Sequence, residues 1–180
     1  MAERTAGELG RALGSVVFDL QLLCVALLIE KQGYPPEQRR IMRHPARLAT
    51  EIVLLKARSL LDFIAPSDSK KDDDITVEDF GVQPRVLCDV MSTFRTYVNK
   101  RAAHLTWRRI DQVTPGSLPD VCACAYRTAL STHQCVNSIM AAGITLQEPR
   151  HVQRHNELLI QLEELRPHFP GPLALLSLKS

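Results

Sequence analysis

The chain has no glycine-rich phosphate loop, no Gly-x-Ser-x-Gly nucleophile elbow and no kinase signature. Its eight glycines are scattered and fall mainly at the ends of helical stretches. That weighs against nucleotide-hydrolase and dehydrogenase chemistry. Net charge is also scarce: 22 Lys and Arg against 20 Asp and Glu leave +2. So small an excess does not announce nucleic-acid binding, and any such role must rest on local clustering of charge. No segment alternates apolar and polar residues as a half-buried strand does, and no internal repeat is present. No secretory leader is expected in the N-terminal stretch, because Ala2 to Leu13 carries Glu3, Arg4, Glu8 and Arg11. The longest apolar run, Val16 to Ile29, is interrupted by Asp19 and Gln21. At about half to two-thirds of a membrane span, it predicts a buried core helix instead. The five cysteines, Cys24, Cys88, Cys122, Cys124 and Cys135, are odd in number and lie on helical-looking segments. Reduced thiols and a cytoplasmic protein are expected.

What is present is ordinary globular composition, 45% hydrophobic and 23% charged over 180 residues. One helical-bundle domain over 1–169 is expected, with a short apolar tail over 170–180. The fold class predicted is all-α, an antiparallel bundle of about five helices. The first covers 5–32, with Gly10 and Gly14 weakening its start. The second region begins near Pro36 and is broken at Pro45. Its strong part is Ala46 to Ile64, where Leu48, Ile52, Leu54, Leu55, Leu61 and Ile64 point to a central place. The stretch SDSKKDDDITVEDFG follows as a loop, with a capping box from Thr76 to Asp79. The third helix is expected from Pro84 to Leu105, with Leu87, Val90, Met91, Phe94, Tyr97 and Val98 as its stripe. The fourth runs from Val121 to Ala142 and is rich in small side chains. The fifth runs from Pro149 to Leu165, with Val152, Leu158, Leu159, Leu162 and Leu165 buried.

The chemistry-bearing stretch is Phe94 to Arg109, FRTYVNKRAAHLTWRR. At 100° per residue from Val90, the positions Phe94, Tyr97, Arg101, His104 and Arg108 fall near one face. The apolar stripe therefore turns cationic, and a buried guanidinium needs a partner. His104 can exchange a proton near neutral pH, and Arg101 and Arg108 can hold phosphate oxygens. The plainer account is a helix-end histidine with solvated arginines. Arg58 and Asp62 stand at i, i+4 on a helix that otherwise reads as buried, as a structural ion pair or as part of the same cleft. Asp73 or Asp74 can fold back onto Arg101 or Arg108 and neutralise them.

Metal readings fare worse. Asp72, Asp73, Asp74, Glu78 and Asp79 lack the alternation and central glycine of a calcium loop. Cys122 and Cys124, two apart on a helix, point about 200° away from each other and cannot share a zinc ion. His151 and His155 stand at i, i+4 without the Glu of an H-E-x-x-H motif, and a solvated basic face is expected there. No metal and no cofactor are expected.

The order ARSLLDFI, DDDITVEDF, VNKRAAHLTWRR, over roughly 46–110, resembles small bacterial helical proteins related to the HEPN group. That resemblance implies a helical bundle, usually dimeric, and in many members a metal-independent ribonuclease of a toxin or defence system. The group's motif is an Arg, a spacer of roughly four to six residues, then a His. Here Arg101 is followed by two residues before His104, and Arg95 by eight. His104 and Arg101 are the positions carried over. The expectation is a bundle that binds RNA or a nucleotide, with or without cleavage. His104 would be the acid or base, Arg101 and Arg108 would hold phosphate, and Arg58, Asp62, Asp73 and Asp74 would form a supporting polar network. The alternative is a non-catalytic interaction module that dimerises or docks a partner through its fourth helix and apolar tail. No membrane partner is expected.

Overall fold

The computed structural model describes residues 4–33, 45–67, 74–103 and 120–170. Among them are five α-helices and no strand: α1 Ala6–Gln32, α2 Pro45–Ile64, α3 Asp89–Ala103, α4 Val121–Ala141 and α5 Pro149–Leu165. Short 3-10 turns cover Val77–Phe80 and Arg166–His168. The helices pack on one another as a bundle, as the sequence predicts. α1 is the hub, packed most extensively on α2 and α5 and also on α4.

The start of α1 is firm. Thr5 caps it: its hydroxyl accepts from the Glu8 N–H at 3.3 Å, and Glu8 Oε2 accepts from the Thr5 N–H at 2.8 Å. These bonds hold the Glu8 carboxyl below the usual carboxylate range. Gly10 and Gly14 do not loosen this end. A Cβ on Gly10 would meet Thr145 O at 2.6 Å, and one on Gly14 would meet the His151 ring at 2.1 Å. The two glycines form a bare strip, one turn long, that lets the α4–α5 connection and the first turn of α5 lie directly on the α1 backbone.

α1 is long and apolar enough to cross a membrane, and half of its most apolar stretch is buried inside the bundle. Leu13, Val17, Leu20, Leu23 and Leu27 are fully buried, whereas Phe18 and Val25 face outward. α2 is less central than its leucines suggest. Val53, Ala57, Leu60, Leu61 and Ile64 are buried, but Leu48 and Leu55 are exposed. They lie seven residues apart on the side turned away from α1 and α4.

The capping box forms as read: the Thr76 N–H donates to Asp79 Oδ2 at 2.8 Å, and the turn Val77–Phe80 follows. Gly81, at φ 72°, then reverses the chain. α3 starts at Asp89, not near Pro84. Residues 82–88 are not helical, and the Arg85 N–H donates to Ile64 O at 2.7 Å, closing off the end of α2. Of the expected stripe, Met91, Phe94 and Val98 are fully buried, Leu87 packs from the non-helical segment, and Val90 is exposed.

The small side chains of α4 serve the interior. Cys124, Ala125, Ala129, Thr132 and Cys135 are buried, and α4 packs on α1 and α2. The Thr128 and Thr132 hydroxyls donate back to the carbonyls four residues earlier at 2.9 Å, so neither is stranded. On α5, Leu158, Leu162 and Leu165 are buried, while Val152 and Leu159 are exposed. Those two sit about 100–120° round the helix from Leu158 and miss the buried sector. Past α5, Phe169 stacks on Tyr126 at 4.9 Å and lies under Lys31 at 4.8 Å. Of the expected tail, 170–180, all but Pro170 lies outside the described residues.

Candidate functional site

A polar cleft of about 580 Å³ opens between α1, α2, α3 and the segment 74–76. α1 contributes Ala12, Ser15, Val16 and Asp19; α2 contributes Arg58, Ser59, Asp62 and Phe63; α3 contributes Asn99. Three residues of the expected polar network, Arg58, Asp62 and Asp74, therefore line one cavity.

Asp19 shows why a charge interrupts the most apolar run of the chain. Lys56 Nζ reaches its Oδ1 at 2.6 Å, and the Ser59 hydroxyl donates to its Oδ2 at 3.1 Å. Both oxygens are satisfied from α2, one turn apart, so the carboxylate sits at the helix seam without an unpaired charge. The signal was legible as an Asp inside an apolar run, but its role in the cleft was not read from the sequence.

Asp62 pairs with Arg58, as its i, i+4 spacing predicts, but loosely, at 3.9 Å to Nε. Its closer partner is Arg95 of α3, whose Nη2 lies 2.9 Å from Oδ1. The same Nη2 donates to Leu61 O at 3.3 Å and to Ala65 O. Arg95 thus places a cation on the carbonyl end of α2, where the helix dipole is negative. It fastens α3 to α2 and holds the Asp62 carboxylate at the cleft wall. One turn further along α3 is Asn99, whose Oδ1 is buried and has no hydrogen-bond partner.

The cleft is close to self-neutralised. Asp19 is matched by Lys56 and Asp62 by Arg95, which leaves the Arg58 guanidinium, about a third exposed, with one long contact among the described residues. An anionic ligand approaching Arg58 therefore meets carboxylates that are already compensated. Asp74 lies on the exposed rim of the cleft. Asp73, His104 and Arg108 lie outside the described residues, as does the proposed fold-back of Asp73 or Asp74 onto the arginines. Arg101 belongs to the last turn of α3, which runs on from Asn99.

No protein-family model matches the chain, and neither a curated protein nor a solved structure matches it. The likeness to the HEPN group rests on the sequence of 46–110 alone.

Elsewhere, no group of three or more His, Cys, Asp or Glu is placed to hold a metal ion among the described residues. His151 is buried against Gly14, which corrects the expected solvated basic face. His155 instead stacks on His133 of α4, ring centroids 5.6 Å apart, and its Nε2 lies 2.9 Å from Asn137 Oδ1. Burial lowers the pKa of both imidazoles, and the neighbouring ring lowers that of His133 further. All five cysteines are free. Burial pushes the Cys24 thiol up to about 12 and Cys124 to about 11. Thiols so far from ionisation are poor nucleophiles and poor metal ligands.

Proposed function

We propose that this chain is a helical-bundle protein that binds a nucleotide, or a nucleotide unit of RNA, in the cleft between α1, α2 and α3. One observation carries the reading: Arg58, Asp62, Asp74 and Asn99 line a single cavity between α1, α2 and α3. Its volume lies within the roughly 300–1,000 Å³ typical of small-ligand sites. Arg58 supplies a guanidinium for phosphate, with Arg101 and Arg108 following in sequence. Asp19, Asp62 and Asn99 supply acceptors for the donors of a base or sugar. Cleavage, if the bundle performs it, uses the ribose 2′-hydroxyl as internal nucleophile and His104 as acid or base.

Calorimetric titration of the full chain with 5′-mononucleotides and ribose 5-phosphate tests binding. Arg58→Gln is expected to weaken every phosphate-bearing ligand about tenfold or more. RNA cleavage that survives a chelator and is lost in His104→Ala and Arg101→Ala supports the ribonuclease. Absence of both binding and cleavage rejects the reading.

A second reading has its own observation. Phe18, Leu22, Val25 and Ile29 fall on one side of α1, with Phe18 and Val25 exposed and Leu22 and Ile29 half-buried. A bundle that docks a partner protein, or a second copy of itself, on that stripe is a non-catalytic interaction module. Sedimentation of the wild type against Val25→Asp distinguishes a self-association from a monomer.

A further inference from the structure

We propose that two copies of this chain associate through the outer stripe of α1, antiparallel, about a two-fold axis between Leu22 and Val25. The inference rests on the second reading above, in which that stripe is a docking face, and names what covers it.

The positions Ser15, Phe18, Leu22, Val25, Ile29 and Gln32 follow one another at alternating steps of three and four. That spacing keeps them on one helix face, as a seam between two packed helices requires. The face lies opposite Leu20 and Leu27, which α1 buries in the core, and the described helices leave it open: Phe18 and Val25 are each 38% exposed. Its layout reads the same from either end, one polar residue, four apolar ones, one polar residue. Turning a second α1 end for end therefore sets Leu22 on Val25, Phe18 on Ile29 and Ser15 on Gln32, each pair twice. The charges at the two ends differ in sign. At the Phe18 end, the Arg154 guanidinium of α5 lies over the ring, 4.6 Å from its centroid, with no salt bridge among the described residues. At the Ile29 end stands Glu30, whose carboxylate accepts from the Thr50 hydroxyl. The antiparallel arrangement brings each Arg154 toward Glu30 of the second copy, whereas a parallel one sets like charges at the same level. A lipid surface fits worse, because it would have to desolvate Glu30. Ser15 also lines the polar cleft, so the C-terminal end of each α1 comes to the mouth of the other copy's cleft. One helix face is small for an interface, so the dimer is expected to dissociate in the micromolar range.

Sedimentation velocity of the full chain up to about 100 μM is expected to show a monomer–dimer equilibrium. Val25→Asp, at the centre of the seam, is expected to weaken it about tenfold or more. Arg154→Glu and Glu30→Arg are each expected to weaken it about tenfold or more, because like charges then face each other across the seam. Mixed in equal amounts, those two variants are expected to associate as the wild type does, since every pair between the copies is again of opposite sign. The two charge variants decide the matter if Val25→Asp fails to fold. A wild-type monomer throughout that range overturns the inference and leaves the docking reading to a different protein. A dimer indifferent to folded Val25→Asp overturns both, because association then uses another surface. Charge variants whose mixture stays monomeric overturn the antiparallel seating.

Discussion

Gly14 and His151 share one contact surface: a Cβ placed on Gly14 would fall 2.1 Å from Nδ1 of the imidazole, which is itself buried without a hydrogen-bond partner. A helix-interior glycine normally gives up about 1 kcal/mol to alanine. Here the missing methyl group is what lets α5 seat on α1. Gly14→Ala is therefore expected to destabilise the protein by about 1–2 kcal/mol, the overpacking cost outweighing the propensity gain. Gly7→Ala is the control. Its Cβ would meet only Arg11 Nη1 at 3.8 Å, so it is expected to be neutral or to stabilise by about 0.5 kcal/mol. Urea unfolding of the two variants against wild type measures both.

Arg95 ties the end of α2 to α3 through Asp62 and two backbone carbonyls. Replacing it with Met keeps most of the aliphatic stem and removes every one of those bonds. The expected cost is about 2 kcal/mol, set mainly by the buried Ala65 carbonyl left without its donor, since Leu61 O still accepts from the Ala65 N–H at 2.9 Å. Asp62→Asn is expected to cost less than about 1 kcal/mol, because that side chain is nearly half exposed and its charge is screened. Melting temperatures ranked wild type, then Asp62→Asn, then Arg95→Met check the order.

The stacked pair His133 and His155 makes stability fall on the acid side. Both imidazoles have folded pKa values below the ordinary 6.5, mainly through burial. Above that value both states hold them neutral and they contribute no pH dependence. As pH drops below 6.5, the unfolded chain takes up protons first, so the unfolded state gains and the native state loses. The loss continues until pH has fallen through the lowered folded values. His155→Phe is expected to flatten the unfolding free energy between about pH 6.5 and 5 relative to wild type. Chemical denaturation at several pH values reads the slope.

The thiols divide by burial. Cys24, Cys124 and Cys135 are almost fully shielded, whereas Cys88 and Cys122 are partly open. With a disulfide reagent at neutral pH, at most two thiols are expected to react in the native protein and all five after unfolding. Rapid native labelling of Cys24 would contradict the packing of α1.

Most of the bundle was legible because its signals are local. Pro149 and Leu165 bound α5 as read, the Thr76–Asp79 box forms, and Arg58 does meet Asp62. The misreadings share a cause. Val152, Leu159, Leu48 and Leu55 are apolar residues on helices whose buried sector is narrower than their hydrophobic content, and only the neighbouring helices decide which sector is covered. Gly10 and Gly14 read as weak helix formers until the connection they admit is known. Asp62's main partner is 33 positions away in Arg95, beyond the reach of any spacing rule. The convergence of Arg58, Asp62 and Asp74 was foreseen as a question of geometry. Asp19 and Asn99, the other polar walls of that cleft, carry no motif that would have marked them.

The placement of α1 also has a consequence at the ribosome. One of the two largest partners of Ala6–Gln32, the helix Pro149–Leu165, is made more than a hundred residues after it. At about 5–20 residues per second, this greasy helix waits on the order of ten seconds for its cover. During synthesis it presents the bare Gly10–Gly14 strip and its leucines to whatever is near, which makes the nascent chain a natural client for chaperones that hold apolar helices until the last one arrives.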